Sequence, residues 1–536
     1  MSNLGFQTVY GILNKRSDVV CERFFLPDLE EEHLLKKYQA PLLSAESQRP
    51  MKDFDLVLFS VSFESDYLNV LKILSMAGIP FWAEERKNDY SLPFIGAGGI
   101  ATWLNPEPLD LFMDFFLIGE GEGFLDEFIS NFLRYEAERR HRLFLIARDT
   151  PGVYVPWAYQ PLYASEGTLR EMKPSKELPY PIIKRRVKKE EIRACSQIVT
   201  SQTEFSNMFL IEIERGCPRG CRFCGAGYVY RPPRMRPLDS ILKDIKEGIK
   251  LSDKIGLIGA AVNDYPYLKE ILEFILIQNA HFSVSSLRAD ALSLELLEIF
   301  KRNGHKTITI APEAGSQRLR NVINKGLSED QILKAASLVS ECGFKTLKLY
   351  FIIGLPTENQ KDIEAIFGLV KKIKKDMLNR HQGRFCPQIY LSVASFVPKP
   401  FTPFQWHPME EISALKKKGK WLKTVFKRER GVSLSFDLPK WAYVQALLAR
   451  GDRRVGEILY LAFKMGWEQA LKKSVINPDF FVLRPRDANE FFPWEVISHG
   501  LNREFLYQEY QKALSAKPGS ICPMKECNLC GVCRGL

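Results

Sequence analysis

The chain has 536 residues, 46% hydrophobic and 26% charged, with 34 Gly and 31 Pro. That length provides for roughly three or four domains and ample core, and the usage is that of ordinary globular chains, so a small stapled scaffold, a fibre and a disordered chain are excluded. There are 75 basic and 64 acidic residues, a net charge of +11, compatible with a nucleic-acid or phosphorylated partner and equally with a plain basic surface. No apolar run approaches the roughly 18 uncharged residues that span a bilayer. The opening MSNLGFQTVYGILNKR lacks a basic n-region, an apolar h-region and a small-residue cleavage site. A cytoplasmic protein with no membrane association is expected.

The chain opens on a helical pattern, Phe6 to Leu13, with no strand before it. A strand follows in DFDLVLFS (53–60), then a helix in SDYLNVLKILSMAG, a strand in LPFIGAGG, a short strand in DFFLIGEGEG and a helix in FLDEFISNFLRYEAERR. Such alternation predicts a parallel sheet, so residues 1–145 are read as a Rossmann-like α/β domain. Gly98, Gly99, Gly119, Gly121 and Gly123 gather at the carboxyl ends of its strands, the edge where open α/β sheets bind ligands. Residues 146–205 read as a linker, with GVYVPWAYQPLY as a hairpin strand and KPSKELPYPIIKRRVKKE as a Pro- and Lys-rich connector. Its basic run, Lys184–Lys189, fits a solvated face better than a polyanion site.

From 206 to 410 the alternation is regular, with strands FLIEIERG, KIGLIGAA, FSVSSL, TITIAPE, TLKLYFIIGLP and QIYLSVASFVPKP separated by helical patterns. Six strand-helix units predict a partial (β/α)6 barrel with its chemistry at the carboxyl ends of the strands. Residues 411–536 form a mainly helical extension that begins with the Lys-rich ALKKKGKWLKTVFKRER and ends in a cysteine cluster.

Seven of the eleven cysteines fall in two sets, Cys217, Cys221, Cys224 and Cys522, Cys527, Cys530, Cys533, a spacing that points to metal ligation. The first set follows the first barrel strand and offers three local thiolates. A [4Fe–4S] cluster takes four, so three leave one iron open to a substrate or cofactor; a zinc site with a remote fourth ligand is the alternative. The tail offers four thiolates within twelve residues, which suits a fully ligated auxiliary [4Fe–4S] cluster, or structural zinc. Cys21, Cys195, Cys342 and Cys386 are isolated and read as small buried hydrophobes. His281, His305, His381, His407 and His499 show no metal spacing. Arg450-Gly451-Asp452-Arg453-Arg454 suits either a phosphorylated substrate or an ion-pair network. Lys416, Lys417, Lys418, Lys420, Lys423 and Lys427, with Trp421 and Phe426, make either a solvated helix face or an RNA surface, although no RNA-recognition sheet motif accompanies them.

Cys-x3-Cys-x2-Cys with Phe223 before the last cysteine resembles the signature of the radical S-adenosylmethionine (radical SAM) superfamily. The resemblance implies that Cys217, Cys221 and Cys224 ligate a [4Fe–4S] cluster whose open iron chelates SAM, and that one-electron reduction cleaves SAM to an adenosyl radical. Gly259-Ala260-Ala261 stands where the family has Gly-Gly-Glu, with Asn263 or Asp264 in place of the missing Glu. Ser285-Ser286-Leu287-Arg288 resembles its Ser-x-Arg element, with Ser286 and Arg288 toward the SAM ribose and carboxylate. Glu313 matches a polar position near the same groups, and Ile353-Gly354-Leu355-Pro356 resembles the glycine turn beside the adenine. The run from Val397 to Trp406 resembles the sixth-strand end of methylthiotransferases and of radical SAM proteins fused to a cobalamin-binding domain. Gly98-Gly99 with Gly119-Glu120-Gly121-Glu122 resembles that cobalamin-binding-type domain, although Asp-x-His-x-x-Gly is missing and His33 is the only histidine before residue 140.

These features lead to an expected radical SAM enzyme, with a cobalamin-dependent methyltransferase on an unknown substrate as the leading form. The alternatives are a cobalamin-independent radical SAM enzyme forming C–S bonds or oxidising with the auxiliary cluster, and a non-catalytic iron–sulfur carrier or RNA-binding factor. The expected partners are a reductant such as flavodoxin or ferredoxin and, as a further alternative, RNA.

Overall fold

The computed structural model describes residues 1–380, 387–524 and 527–533. They fold as two compact units: Gly5–Arg193 with Val444–Gly500, and Met1–Leu4 with Ala194–Tyr443 and the chain from Leu501 onward.

The first unit holds a four-stranded sheet. Strands β1 (Leu56–Ser60), β2 (Phe94–Gly98) and β3 (Phe115–Leu117) are parallel, and β4 (Val153–Tyr154) lies antiparallel beside β3. Spatial order follows chain order, so the sheet has no point at which the order reverses. Helix Tyr67–Met76 buries Tyr67, Val70, Leu71 and Leu74, the i, i+3, i+4, i+7 stripe of a helix laid on a sheet. The pattern read as one helix beyond residue 124 divides into Phe124–Arg134 and Arg139–Asp149. Between them the chain turns, and buried Arg139 reaches Asp114 at 2.6 Å.

Within residues 146–205, expected as a linker, four short strands form and the chain from 153 to 159 enters the core. Val153, Tyr154, Val155 and Tyr159 are fully buried; β5 (Tyr159–Tyr163) and β6 (Leu169–Pro174) form an antiparallel hairpin, and Ile182–Ile183 pairs with Ile497–Ser498. The basic run begins in the interior, where Lys184 meets Glu120 at 3.1 Å with both side chains almost fully buried. Arg453 pairs with Glu107 at 3.0 Å and Asp110 at 2.8 Å, and Arg454 pairs with Asp452 at 2.6 Å. The Arg450–Arg454 run is therefore an ion-pair network that holds Val444–Gly500 to its own unit.

The second unit carries the barrel. Strands β7 (Phe209–Glu212), β8 (Lys254–Ile258) and β9 (His281–Val284) form one parallel sheet. Strands β10 (Thr307–Glu313), β11 (Thr346–Ile353), β12 (Gln388–Ser395) and β13 (Val432–Phe436) form another, and a parallel bridge between Leu287 and Ile310 joins the two. All six expected strands occur in the expected order. A seventh, β13, extends the barrel past residue 410, because the basic helix Ile412–Phe426 returns the chain for one more parallel strand. Leu347, Leu349, Phe351 and Ile353 are buried in strict alternation along β11, and burying each contributes about 1.5–3 kcal/mol. Cys342 is buried at the end of helix Glu329–Glu341; Cys386 and His381 lie outside the described residues. No helix of the described residues is long and apolar enough to cross a membrane.

Candidate active site at the barrel rim

Cys217–Cys224 leaves the carboxyl end of β7, and the loop is pinned from within by Arg222. That side chain is fully buried, donating to the Asn321 carbonyl at 3.0 Å, the Val322 carbonyl at 2.9 Å and the Glu509 carboxylate at 3.1 and 2.9 Å. Its own N–H donates to the Ile323 carbonyl at 3.0 Å. Gly220 adopts φ +71°, a left-handed turn that glycine makes without strain. The Gly220 carbonyl accepts from Asn324 Nδ2 at 3.1 Å and the Tyr228 hydroxyl at 3.2 Å. Phe223 packs on a core of Leu319, Val322, Ile323, Phe396 and Phe404. An aromatic there anchors the loop, so its neighbours Cys221 and Cys224 are held in register.

The three thiols lie near enough to act on one another electrostatically. Burial pushes Cys217 up to about 12, and the nearby Cys221 and Cys224 sulfurs add to the shift; Cys224 is raised by burial and by Cys221. Thiolates gathered in a low dielectric require a cationic centre. The donor set, three sulfurs and no local fourth ligand, fits the [4Fe–4S] cluster with an open iron expected above. Lys325 supplies a buried cation beside Cys221.

Around the loop runs a connected polar rim. Arg219, between the first two cysteines, pairs with Asp264, its Nε lying 2.7 Å from the carboxylate, and reaches Asp290 at 3.4 Å. Arg288 binds the same Asp290 at 3.0 Å and exchanges hydrogen bonds with Asn263. Lys325 Nζ lies 3.1 Å from Glu313 Oε1. Glu313 itself has φ +66°, at a register shift in the pairing of β10 with β11. A non-glycine residue held left-handed costs about 1–2 kcal/mol, which the fold carries to aim that carboxylate. Ser286 is exposed on the same rim after β9.

Gly259-Ala260-Ala261 follows β8, and the Ala261 N–H donates to Glu214. A Cβ at Gly259 would lie 2.6 Å from the Glu214 side chain. Burial pushes the Glu214 carboxyl up to about 7. Gly354 is at the rim after β11, but its surroundings are Leu415 and Glu410, and its N–H donates to Glu358 at 2.8 Å. Lys418 ties Glu358 and Glu410 together at 2.7 and 2.6 Å, so the Gly354 turn is braced by the basic helix.

Sequence reasoning missed Glu214, Arg219, Asp290 and Lys325. The first two flank or sit inside the cysteine motif, a usable signal; Asp290 and Lys325 reach the site only through tertiary folding.

The cysteine tail lies on this loop. The Cys522 N–H donates to the Pro218 carbonyl at 2.8 Å, and the Gly519 N–H donates to Asn324 Oδ1 at 2.9 Å. Buried Arg231 donates to Cys530 and faces Cys522. Cys533 accepts from the Cys527 N–H and has Cys522, Cys527 and Cys530 as charged neighbours. The donor set of four sulfurs around a buried guanidinium suits an anionic thiolate centre. Among the described residues, no three His, Cys, Asp or Glu side chains converge as the ligands of one ion would.

At the glycines expected to line a cobalamin site the chain packs closely on itself. Gly99, at φ +108°, would place a Cβ on the Val61 carbonyl; Gly119 would place one on Arg185. Gly98 packs on Leu117 and Gly121 on Leu125. Arg185 pairs with Gly119 in a parallel bridge, and the Glu120 N–H donates to the Arg185 carbonyl at 3.1 Å.

Residues 5–156 match the family model for the N-terminal region of radical SAM proteins, and residues 211–370 match the radical SAM superfamily model. An uncharacterised protein of Methanocaldococcus jannaschii is 34% identical over 429 residues, covering 79% of this chain and 84% of the relative. The tRNA-2-methylthio-N(6)-dimethylallyladenosine synthase of Pelagibacter ubique is 25% identical over 207 residues, covering 36% of this chain and 46% of that enzyme. Among solved structures, the radical S-adenosylmethionine methyltransferase TsrM from Kitasatospora setae is similar at 13% identity and a TM-score of 0.47, covering 77% of this chain and 73% of that one. The cobalamin-dependent S-adenosylmethionine radical enzyme OxsB is similar at 14% identity and a TM-score of 0.47, covering 87% and 69%. With three thiols on the loop after the first strand of a parallel barrel and both family models matched in order, the chain belongs to the radical SAM superfamily.

Proposed function

We propose that the protein cleaves SAM reductively at a [4Fe–4S] cluster held by Cys217, Cys221 and Cys224 and applies the product to a substrate bound in the barrel. The observation that carries this reading is the set of three half-buried, electrostatically coupled thiols on one loop at the catalytic rim, held by the buried Arg222. When bound, the cluster supplies one electron that breaks a carbon–sulfur bond of SAM.

The chain's own part is placement. Arg222 and Gly220 fix the loop, so the three sulfurs are organised before any ligand arrives. Arg288, oriented by Asp290 and Asn263, presents a guanidinium suited to the SAM carboxylate. Glu313, its charge matched by Lys325, presents an acceptor to the ribose hydroxyls or the amino group. Ala260 and Ala261 leave the SAM amino group without the family's Glu side chain, and Glu214 beneath them is the nearest carboxyl. The packed wall of Phe396, Phe404 and Trp406 keeps water from the reacting atoms.

Cys522, Cys527, Cys530 and Cys533 hold a second metal centre in this reading, with Arg231 balancing its charge. Cobalamin is assigned no step in this reading. The experiment that tests the reading is anaerobic reduction of the reconstituted protein with SAM, followed by quantification of 5′-deoxyadenosine and of iron and cobalt per chain. 5′-Deoxyadenosine formed without cobalt supports it; no cleavage by a fully iron-loaded protein contradicts it.

A further inference from the structure

The chain's positive charge is concentrated on two neighbouring barrel helices. Residues 412–430 contain eight basic residues against Glu429 alone. Helix Gln360–Arg380 adds Lys371, Lys372, Lys374 and Lys375 within five residues. The two helices pack through Phe367 and Phe426, whose rings lie 5.3 Å apart. Leu415, Gly419, Leu422 and Phe426 take the inner face of helix Ile412–Phe426. Lys416, Lys417, Lys420, Lys423, Lys427, Arg428 and Arg430 are all exposed.

The nearby acids pair with Lys372 and Lys374 of helix Gln360–Arg380 and leave the stripe on the other helix uncompensated. Asp376 accepts from Ser337, Glu429 pairs with Lys374 at 3.3 Å, and Glu329 pairs with Lys372 at 2.5 Å. Lys418 alone on the basic helix turns to carboxylates, Glu358 and Glu410. Between the helices lies a cleft of about 220 Å³ lined by Lys371, Lys374, Lys375, Leu378, Asn379 and Glu429.

Like charges at i, i+4 destabilise a helix, and Lys416, Lys420, Lys423 and Lys427 place four in one stripe. Their steps of about 5–6 Å along the axis follow from the helical rise. A regular line of cations repeated at that interval suits a regular line of anions, which a nucleic-acid backbone provides and a folded acidic protein does not. The stripe begins at the catalytic rim, where Leu415 and Lys418 brace the Gly354 turn. After β13 returns to that rim, Trp441 stands 52% exposed, with Lys440 Nζ 5.0 Å from its ring. An exposed indole with a lysine at its side, on the rim from which the stripe starts, can act as a stacking platform for an unpaired base.

We infer that this face binds RNA, with the backbone along the Lys416–Lys427 stripe and an unpaired base on Trp441. Two packed helices are too broad for the major groove of B-DNA, about 12 Å wide, which favours a strand that can bend and unstack. Helix Ile412–Phe426 carries no exposed large apolar side chain, and the exposed Leu438 and Trp441 lie beyond it, so the stripe lacks what an interfacial membrane helix inserts. The inference uses the radical SAM reading only to locate the rim, and its test does not depend on SAM cleavage.

The test is fluorescence anisotropy of a fluorescein-labelled RNA hairpin titrated with the full-length, iron-loaded protein at several salt concentrations. Contacts to four phosphates predict a log–log salt slope of about −3. Changing Lys416, Lys417, Lys420 and Lys423 together to Glu is expected to weaken binding at least about 100-fold and flatten that slope; the same four changed to Gln, a milder set, are expected to lower both in part. Trp441→Ala is expected to weaken binding about tenfold at unchanged slope. Circular dichroism and iron content establish that each variant is folded. Binding unaffected by either lysine set overturns the inference, as does an equally tight complex with a DNA hairpin or with phosphatidylglycerol vesicles.

Discussion

The Cys522 N–H donates to the carbonyl of Pro218 at 2.8 Å, so the first thiol of the tail is tied to the residue after the first thiol of the loop. Two cysteine sets separated by about 300 residues are thereby one assembly. Arg231 completes the link: its Nε donates to the Gly227 carbonyl at 2.9 Å, just past Cys224, and its guanidinium serves Cys530.

The sets are expected to be separable by iron content. Cys221→Ala is expected to lose about four irons per chain and all SAM cleavage, and Cys530→Ala to lose about four irons while keeping cofactor-only cleavage. Elemental analysis beside 5′-deoxyadenosine quantification checks both. Loss of zinc in place of iron from the second variant would make the tail a structural site.

The Arg222–Glu509 pair is the mechanical tie beneath the loop. Its members lie 2.9 Å apart, each at most 3% exposed. Glu509→Ala leaves a buried guanidinium without its partner, a change that costs about 3–5 kcal/mol. The expected outcome is a lower denaturant midpoint and faster proteolysis beyond Leu501, measured on the same preparation. An unchanged midpoint would show that the pair does not secure the tail.

Glu313 joins stability to function. Glu313→Gly relieves the left-handed strain at φ +66°, about 1–2 kcal/mol, but leaves the buried Lys325 ammonium without its carboxylate, a loss of about 3–5 kcal/mol, so the melting temperature is expected to fall. SAM affinity is expected to fall about tenfold, or about 1.4 kcal/mol, as read by calorimetry. Glu313→Gln, which keeps the shape, is expected to lose less. A glycine variant that binds SAM normally would make the carboxylate purely structural.

Glu214 sets a pH dependence. The unfolded carboxyl loses its proton near its ordinary 4.5, whereas the folded one holds it to about 7. Between those values the folded state binds more protons, so stability falls as pH rises from 4.5 to 7 and levels off above. The full effect is about 3 kcal/mol. Glu214→Gln, which still accepts from the Ala261 N–H, is expected to flatten that window in denaturant titrations, and a slope unaltered by the change would assign it to another group.

Much of this was legible in the sequence. The barrel strands from Phe209 to Ser395 announced themselves by apolar runs between helical periods, and the loop cysteines by spacing alone. β13 was not, because VSLSF alternates with serine and follows a Lys-rich helix that reads as a surface appendage. The segment from 146 to 205 misled because local turn residues hide the burial of Tyr154, Tyr159 and Lys184, which comes from partners more than 40 residues away. Gly98, Gly99, Gly119 and Gly121 mark close approach, and sequence does not say whether a ligand or the chain itself approaches. Lys325 and Asp290 joined the site only through folding.

The most direct test of the central claim is 5′-deoxyadenosine formed from SAM by the dithionite-reduced, iron-loaded protein, compared with its Cys217→Ala, Cys221→Ala and Cys224→Ala variants. The account predicts product from the unaltered protein and none from any variant. Product retained in even one of the three would contradict the assignment of the cluster to this loop.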